Sequence, residues 1–122
     1  MTAPDPVSWL VEGLRTVSAT NAREHHFARA RRVKEERQLV WAGWFRAGKP
    51  RLPRPPCAVT LVRIAPRTLD TDNLSSALKG CRDEVAKLLE IDDADPRVIW
   101  LCEQRKSDPR RYAVDIAIEA VR

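Results

Sequence analysis

Two clusters of carboxylates are the residues of this chain best suited to chemistry. Asp70-Thr71-Asp72-Asn73 lies where a β-prone run gives way to a helical one, and Asp92-Asp93-Ala94-Asp95 lies just beyond that helix. Bunched carboxylates repel one another, and a bound cation cancels the repulsion. Their hard oxygens suit Mg²⁺ or Mn²⁺. The competing reading is structural: Asp70 or Asp72 caps the helix and the later acids line a loop. Spacing alone leaves both open.

The elements that must position these residues follow from periodicity. Trp9 to Val17 reads as a short first strand, with Gly13 interrupting it. Asn21 followed three residues later by Glu24 resembles a capping box, so a helix is expected from there to about Phe45. Ala30, Val33, Val40, Trp41 and Trp44 recur on its apolar face. That assigns Trp41 and Trp44 to core packing, and His25-His26 reads as surface. Gly48 and Pro50 stop the helix, and residues 46–56, with Pro50, Pro53, Pro55 and Pro56, read as an extended connection.

Cys57 to Ala65 is a continuous β-prone run, a buried strand closed by Pro66. Leu74, Leu78, Cys81, Val85 and Leu88 then mark one face of a helix from Asp72 to Glu90. Strands are expected at Val98–Gln104 and Arg111–Val121, with a hairpin turn at Lys106–Arg110. The prediction is a single α+β domain over residues 1–122, ordered β-α-β-α-β-β, with a small mixed or antiparallel sheet packed by two helices. A straight helix from Asp72 to Glu90 spans ~28 Å. The two acidic clusters therefore meet only if the chain folds back after Glu90, or if a second subunit supplies the approach.

Composition narrows the partners. The net charge of +5 is uneven: residues 1–54 hold 11 Lys and Arg against 5 Asp and Glu, and residues 55–122 hold 11 against 12. A basic first half suggests an anionic partner, nucleic acid above all, although many solvated helices are basic. No apolar run approaches the ~20 residues that span a bilayer. The N-terminus lacks the basic start and apolar block of a signal peptide, so the expectation is an intracellular protein without a membrane partner. Cys57, Cys81 and Cys102 lack paired zinc spacing and read as buried free thiols.

Asp-x-Asp-Asn after a strand, an amphipathic helix, then Asp-Asp and a β-hairpin resembles the RusA family of Holliday junction resolvases, phage- and prophage-borne endodeoxyribonucleases. The resemblance covers roughly residues 57–121. The stretch Asp72-Asn73-Leu74, Ala77-Leu78-Lys79, Arg82-Asp83 and Ile91-Asp92-Asp93 looks like a phage-type branch. It implies that Asp70, Asp72 and Asp93 bind one or two Mg²⁺ (or Mn²⁺) ions and are catalytic. It also implies that a four-way DNA junction is cut by paired symmetric nicks, and paired nicks call for a C₂ homodimer. No small-molecule cofactor is implied.

The family's catalytic lysine, four residues after the second aspartate, is Ser76 here, and the nearest lysine is Lys79. On one continuous helix Lys79 would share the polar face of Asp72, so it is either the displaced catalytic cation or a solvated lysine. Arg23, Arg29, Arg31, Arg32 and Lys34, with Arg67 and Asn73, become candidate DNA contacts. Two alternatives stay open: a non-catalytic nucleic-acid-binding or structural phage protein that keeps the fold, and a nuclease for other branched or flap DNA.

Overall fold

The computed structural model describes residues 5–17 and 26–121. Its elements are β1 (Val7–Glu12), α1 (His26–Arg46), β2 (Cys57–Ala65), α2 (Thr71–Ala77), α3 (Lys79–Leu88), β3 (Val98–Lys106) and β4 (Ala113–Ala120). They form one α+β domain whose four-stranded mixed sheet has the order β1-β4-β2-β3.

β2 organises the sheet. Its run of apolar and β-branched residues is buried along nearly its whole length. Such a strand needs a hydrogen-bonding partner on each edge. β3 pairs with it in parallel, Cys57 opposite Val98, and β4 pairs with it antiparallel, Leu61 opposite Ile116. β1 completes the sheet antiparallel to β4, Trp9 opposite Ile116. The parallel pair requires a crossover, and α2 with α3 supplies it.

This order corrects the expected hairpin. β3 and β4 are not neighbours, because β2 lies between them. The connection steps over the end of β2, where the Ser107 amide donates to the Ala65 carbonyl at 3.0 Å. Crossing one strand spans two inter-strand spacings, ~10 Å, which a two-residue hairpin turn cannot cover. β1 also differs from expectation. It ends at Glu12, and Gly13 takes a φ of 81° that leaves the strand, donating its amide to the Tyr112 carbonyl at 2.7 Å.

The single helix expected from Asp72 to Glu90 is two, so three helices pack the sheet and the order is β-α-β-α-α-β-β. Leu78, at φ −95° and ψ 4°, separates α2 from α3. The apolar stripe survives the break: Leu74, Leu78, Cys81 and Val85 are all buried against the sheet. A one-residue change of dihedral leaves the periodicity almost intact, so periodicity does not report it.

α3 packs closely on α1. A β-carbon on Gly80 would lie 2.7 Å from Oε2 of Glu36, a buried carboxylate that pairs with Arg32 at 3.2 Å. Gly80→Ala should therefore lower the melting temperature, corresponding to a loss of about 1–3 kcal/mol, although alanine is the better helix former. Thermal denaturation of the variant beside the parent measures it.

The start of α1 expected at Asn21, together with Arg23 and His25, falls outside the described residues. Within the described helix, the inward face is Glu36 and Val40 with Val33 and Trp44 half-buried. Trp41 is not core: it stands 46% exposed. It lies ~100° around the helix from the fully buried Val40, which turns it away from the sheet. Trp44 does pack, with its Nε1 donating to the Pro50 carbonyl at 3.0 Å. All three cysteines are free, with Cys57 and Cys81 buried and Cys102 half-buried. Burial raises the pKa of each thiol, which favours the protonated form.

Candidate acidic site and its basic flank

Asp70 follows the end of β2 by five residues and N-caps α2. Its Oδ1 accepts from the Asn73 amide at 2.9 Å, and its backbone carbonyl accepts from the Leu74 amide at 2.8 Å. Its Oδ2 accepts from the Asn73 side-chain amide at 3.0 Å. Asp72 sits exposed in the first turn of α2. Asp70 thus has the capping role that competed with metal binding, and its carboxylate lies open at the surface.

The backbone entering this turn is held from the neighbouring strand. Gln104 of β3 donates its side-chain amide to the Leu69 carbonyl at 2.7 Å and accepts from the Leu69 amide at 2.9 Å. This two-point clamp fixes the residue before Asp70, and no local sequence signal marks it. Gln104→Leu leaves both backbone groups of Leu69 without a side-chain partner. Thermal denaturation of this variant should show a lower melting temperature than the parent, corresponding to a loss of about 1–3 kcal/mol for the two unpaired backbone groups.

The later acids reach the same end of α3 by a turn at its C-terminus. Glu90 takes a φ of 59°. Its amide donates to the Lys87 carbonyl, and the Ile91 amide donates to the Ala86 carbonyl, both at 3.0 Å. This is the paired closure of a Schellman turn, made without the usual glycine. The chain then runs back along the helix. Asp93 Oδ2 lies 3.5 Å from Lys79 Nζ and 3.9 Å from Arg82 Nε, and the Asp93 carbonyl accepts from Arg82 Nη2 at 2.9 Å. The fold-back that the helix length demanded is therefore present, and it delivers Asp93 to the α2–α3 junction.

Burial pushes the Asp93 carboxyl up, but the Lys79 charge, hydrogen bonds with Asp92 and Lys79, and the Arg82 charge outweigh it. The pKa is held below the ordinary aspartate value. Lys79 also pairs with Asp83 at 3.3 Å. It opens α3, two residues past the end of α2, the helix of Asp72. What relates Lys79 to the acids is its contact with Asp93.

The remaining acids have local duties. Asp92 Oδ1 accepts from the Ala94 amide at 2.9 Å. Asp95 accepts from the Arg97 side chain and amide, which holds its pKa at about 2. Among the described residues, no group of three or more His, Cys, Asp or Glu is arranged to hold a metal ion. By chemistry the carboxylates suit a hard cation. Asp70 is bonded to Asn73, and Asp93 is paired with Lys79 and Arg82.

The candidate DNA contacts divide. Arg29, Arg31 and Lys34 are exposed on α1, and Arg67 is exposed after β2. Arg32 is turned to Glu36 and to the Val17 carbonyl, and Asn73 to Asp70. Arg37, not singled out from the sequence, joins α1 to α3 through Glu84 at 3.1 Å. With Lys87 it borders a concavity of about 500 Å³ that also contains Asp83, Asp92 and Asp93. The basic helix and the acidic loop therefore flank one depression. Arg63 is buried on β2, bonded to Thr16 and to the Arg67 carbonyl. No described helix is long and apolar enough to cross a membrane.

Compared with known proteins, the chain matches no family model and no curated protein.

Proposed function

We propose that this protein is an endodeoxyribonuclease for branched DNA, cutting four-way junctions by paired nicks, as the RusA resemblance of its Asp-x-Asp-Asn and Asp-Asp motifs implies. The observation that carries the reading is the return of Asp93 to Lys79. It joins the later acidic cluster to a cation at the start of α3, and α2, ~10 Å long, lies in sequence between that cation and Asp70. The exposed arginines of α1 then contact DNA phosphates, and Lys79 and Arg82 offer positive charge beside the acids.

Symmetric nicking calls for two sites, and this reading includes a C₂ homodimer. The sheet face away from the helices carries exposed Leu10, Ile99 and Leu101, apolar surface of the kind a second copy would cover. The resemblance also implies Mg²⁺ or Mn²⁺. The test is incubation with a labelled four-way junction and a matched linear duplex, with and without each ion. Symmetric cuts in the junction alone support the reading, and intact junction under every condition overturns it.

A second reading, a nucleic-acid-binding protein without catalysis, is favoured by one observation. Among the described residues no three carboxylates are grouped to hold a metal, and Lys79 is already engaged by Asp83 and Asp93. It expects junction binding without cutting, and no rise of melting temperature with Mn²⁺. An ion held only by the folded state must raise that temperature.

Both readings expect affinity to fall steeply with salt, because lysines and arginines displace condensed counterions. Neutralising Arg29 and Arg31 together should reduce the slope of log affinity against log salt by about 2. An unchanged slope removes α1 from the DNA contact.

A further inference from the structure

A long groove beside α1 extends beyond the site described above and shares Arg37 and Lys87 with its concavity. It has a volume of about 1070 Å³ and runs from His26 to Ala42, with Glu84 and Lys87 of α3 on its far wall. Its length along α1 is ~24 Å. Its cations are Arg29, Lys34, Arg37 and Lys87, and the acid on its wall, Glu84, is already paired with Arg37.

Aromatic rings are interleaved with these cations. Trp41 lines the groove, and Phe45, one turn on, lies 5.2 Å from it, centroid to centroid, at an interplanar angle of 28°. Both rings are nearly half exposed. Lys49 stands 4.8 Å over the Phe45 ring. A core tryptophan would be buried, whereas Trp41 and Phe45 present a stacked pair of large rings at the surface.

We propose that this groove binds unpaired nucleotides of DNA, with a base stacked on Trp41 and phosphates along Lys34, Arg37 and Lys87. The inference rests on the reading of the chain as a protein of branched DNA, a class that includes flaps and gaps with unpaired nucleotides. Charge selects the occupant. A second copy of this chain seated face to face would set cations against cations, and an apolar peptide would leave them without counter-charges. A duplex would satisfy the cations but hide its base faces from the rings. A single strand satisfies both, since every base has a face that stacks on an aromatic ring. The groove also leads to the acids: Arg37 and Lys87 border both it and the concavity of Asp83, Asp92 and Asp93. A strand lying along α1 is thereby directed toward Asp93.

The test uses the whole chain, an oligo-dT of about ten nucleotides and a blunt duplex of similar length, at one salt concentration. The parent should bind the oligo-dT with quenching of tryptophan fluorescence. Trp41→Phe should lose most of the quenching yet keep most of the affinity, because phenylalanine still stacks. Trp41→Ala should weaken oligo-dT about tenfold, the worth of one stacked base, and leave duplex affinity unchanged. Oligo-dT binding that is unaltered in Trp41→Ala, or equal losses for both ligands, overturns the inference. So does a parent dimer that Trp41→Ala converts to monomer. Junction cutting separates this result from the function itself. Cutting with no Trp41 effect sinks the groove alone, and a Trp41 effect without cutting sinks the nuclease alone.

Discussion

Asp72→Asn is expected to abolish junction cleavage while leaving the fold and DNA binding in place. Asp72 is exposed in the first turn of α2 and holds nothing in the core. Its exchange for an amide removes a charge without removing packing. If the acids carry the chemistry, the loss should be at least a thousandfold, about 4 kcal/mol of transition-state stabilisation. DNA affinity should hold or rise, because a negative charge near phosphates has been removed. Asp70→Asn is the sharper companion. Asparagine caps a helix about as well as aspartate, so the bond to the Asn73 amide is kept and stability barely changes. A purely structural Asp70 predicts parental cutting by that variant, and a catalytic Asp70 predicts none. Should Asp72→Asn cut junctions at the parental rate, the acidic site is misassigned.

Lys79→Ala is expected to slow cleavage by roughly a hundredfold, the loss of a transition-state contact worth ~3 kcal/mol. The lysine is exposed and its two ion pairs lie at the surface, so the melting temperature should change little. Because Lys79 opens α3 beside Asp93, its role is judged by that contact. The pair Ser76→Lys with Lys79→Ala tests the alternative position, at the end of α2. Recovery of rate by the pair means a cation is needed near the α2–α3 junction and either helix can offer it. Failure to recover, with Lys79→Ala itself slow, ties the function to the Asp93 side. A Lys79→Ala variant that cuts at the parental rate makes Lys79 a surface ion-pair residue, and the positive charge then comes from Arg82 or Arg67. Single-turnover cleavage rates at saturating protein separate these outcomes from changes in binding.

Much of the architecture is readable in the chain itself, for local reasons. The bounds of β2, Cys57 to Ala65, follow from a continuous β-prone run, apolar but for Thr60 and Arg63, closed by Pro66. Val114, Ile116 and Ile118 alternate onto the helix-covered face of β4, and Leu74, Leu78, Cys81 and Val85 step along one helical face. In each case the side chains and their periodicity lie within one element, so burial of one face dictates the pattern. Asp70 as a cap is of the same kind, since its partner is three residues away.

Other features depend on partners far along the chain. Strand order is one: the alternation in β4 says that one face is buried but not which strand it pairs with. Only the demand of β2 for a neighbour on each edge draws β4 past β3. The end of α3 is another. Glu90 adopts the left-handed turn without glycine, so no stop signal separates it from the helix. The buried Glu36 and Arg63 are charged residues whose burial is made tolerable by Arg32 and by Thr16 with the Arg67 carbonyl. Trp41 is large and apolar, yet the ~100° step from Val40 turns it outward. The candidate site combines both kinds of information. Its residue types and their order are local, whereas the approach of Asp93 to Lys79 and the Gln104 clamp on Leu69 exist only because a turn and a sheet edge bring separated segments together.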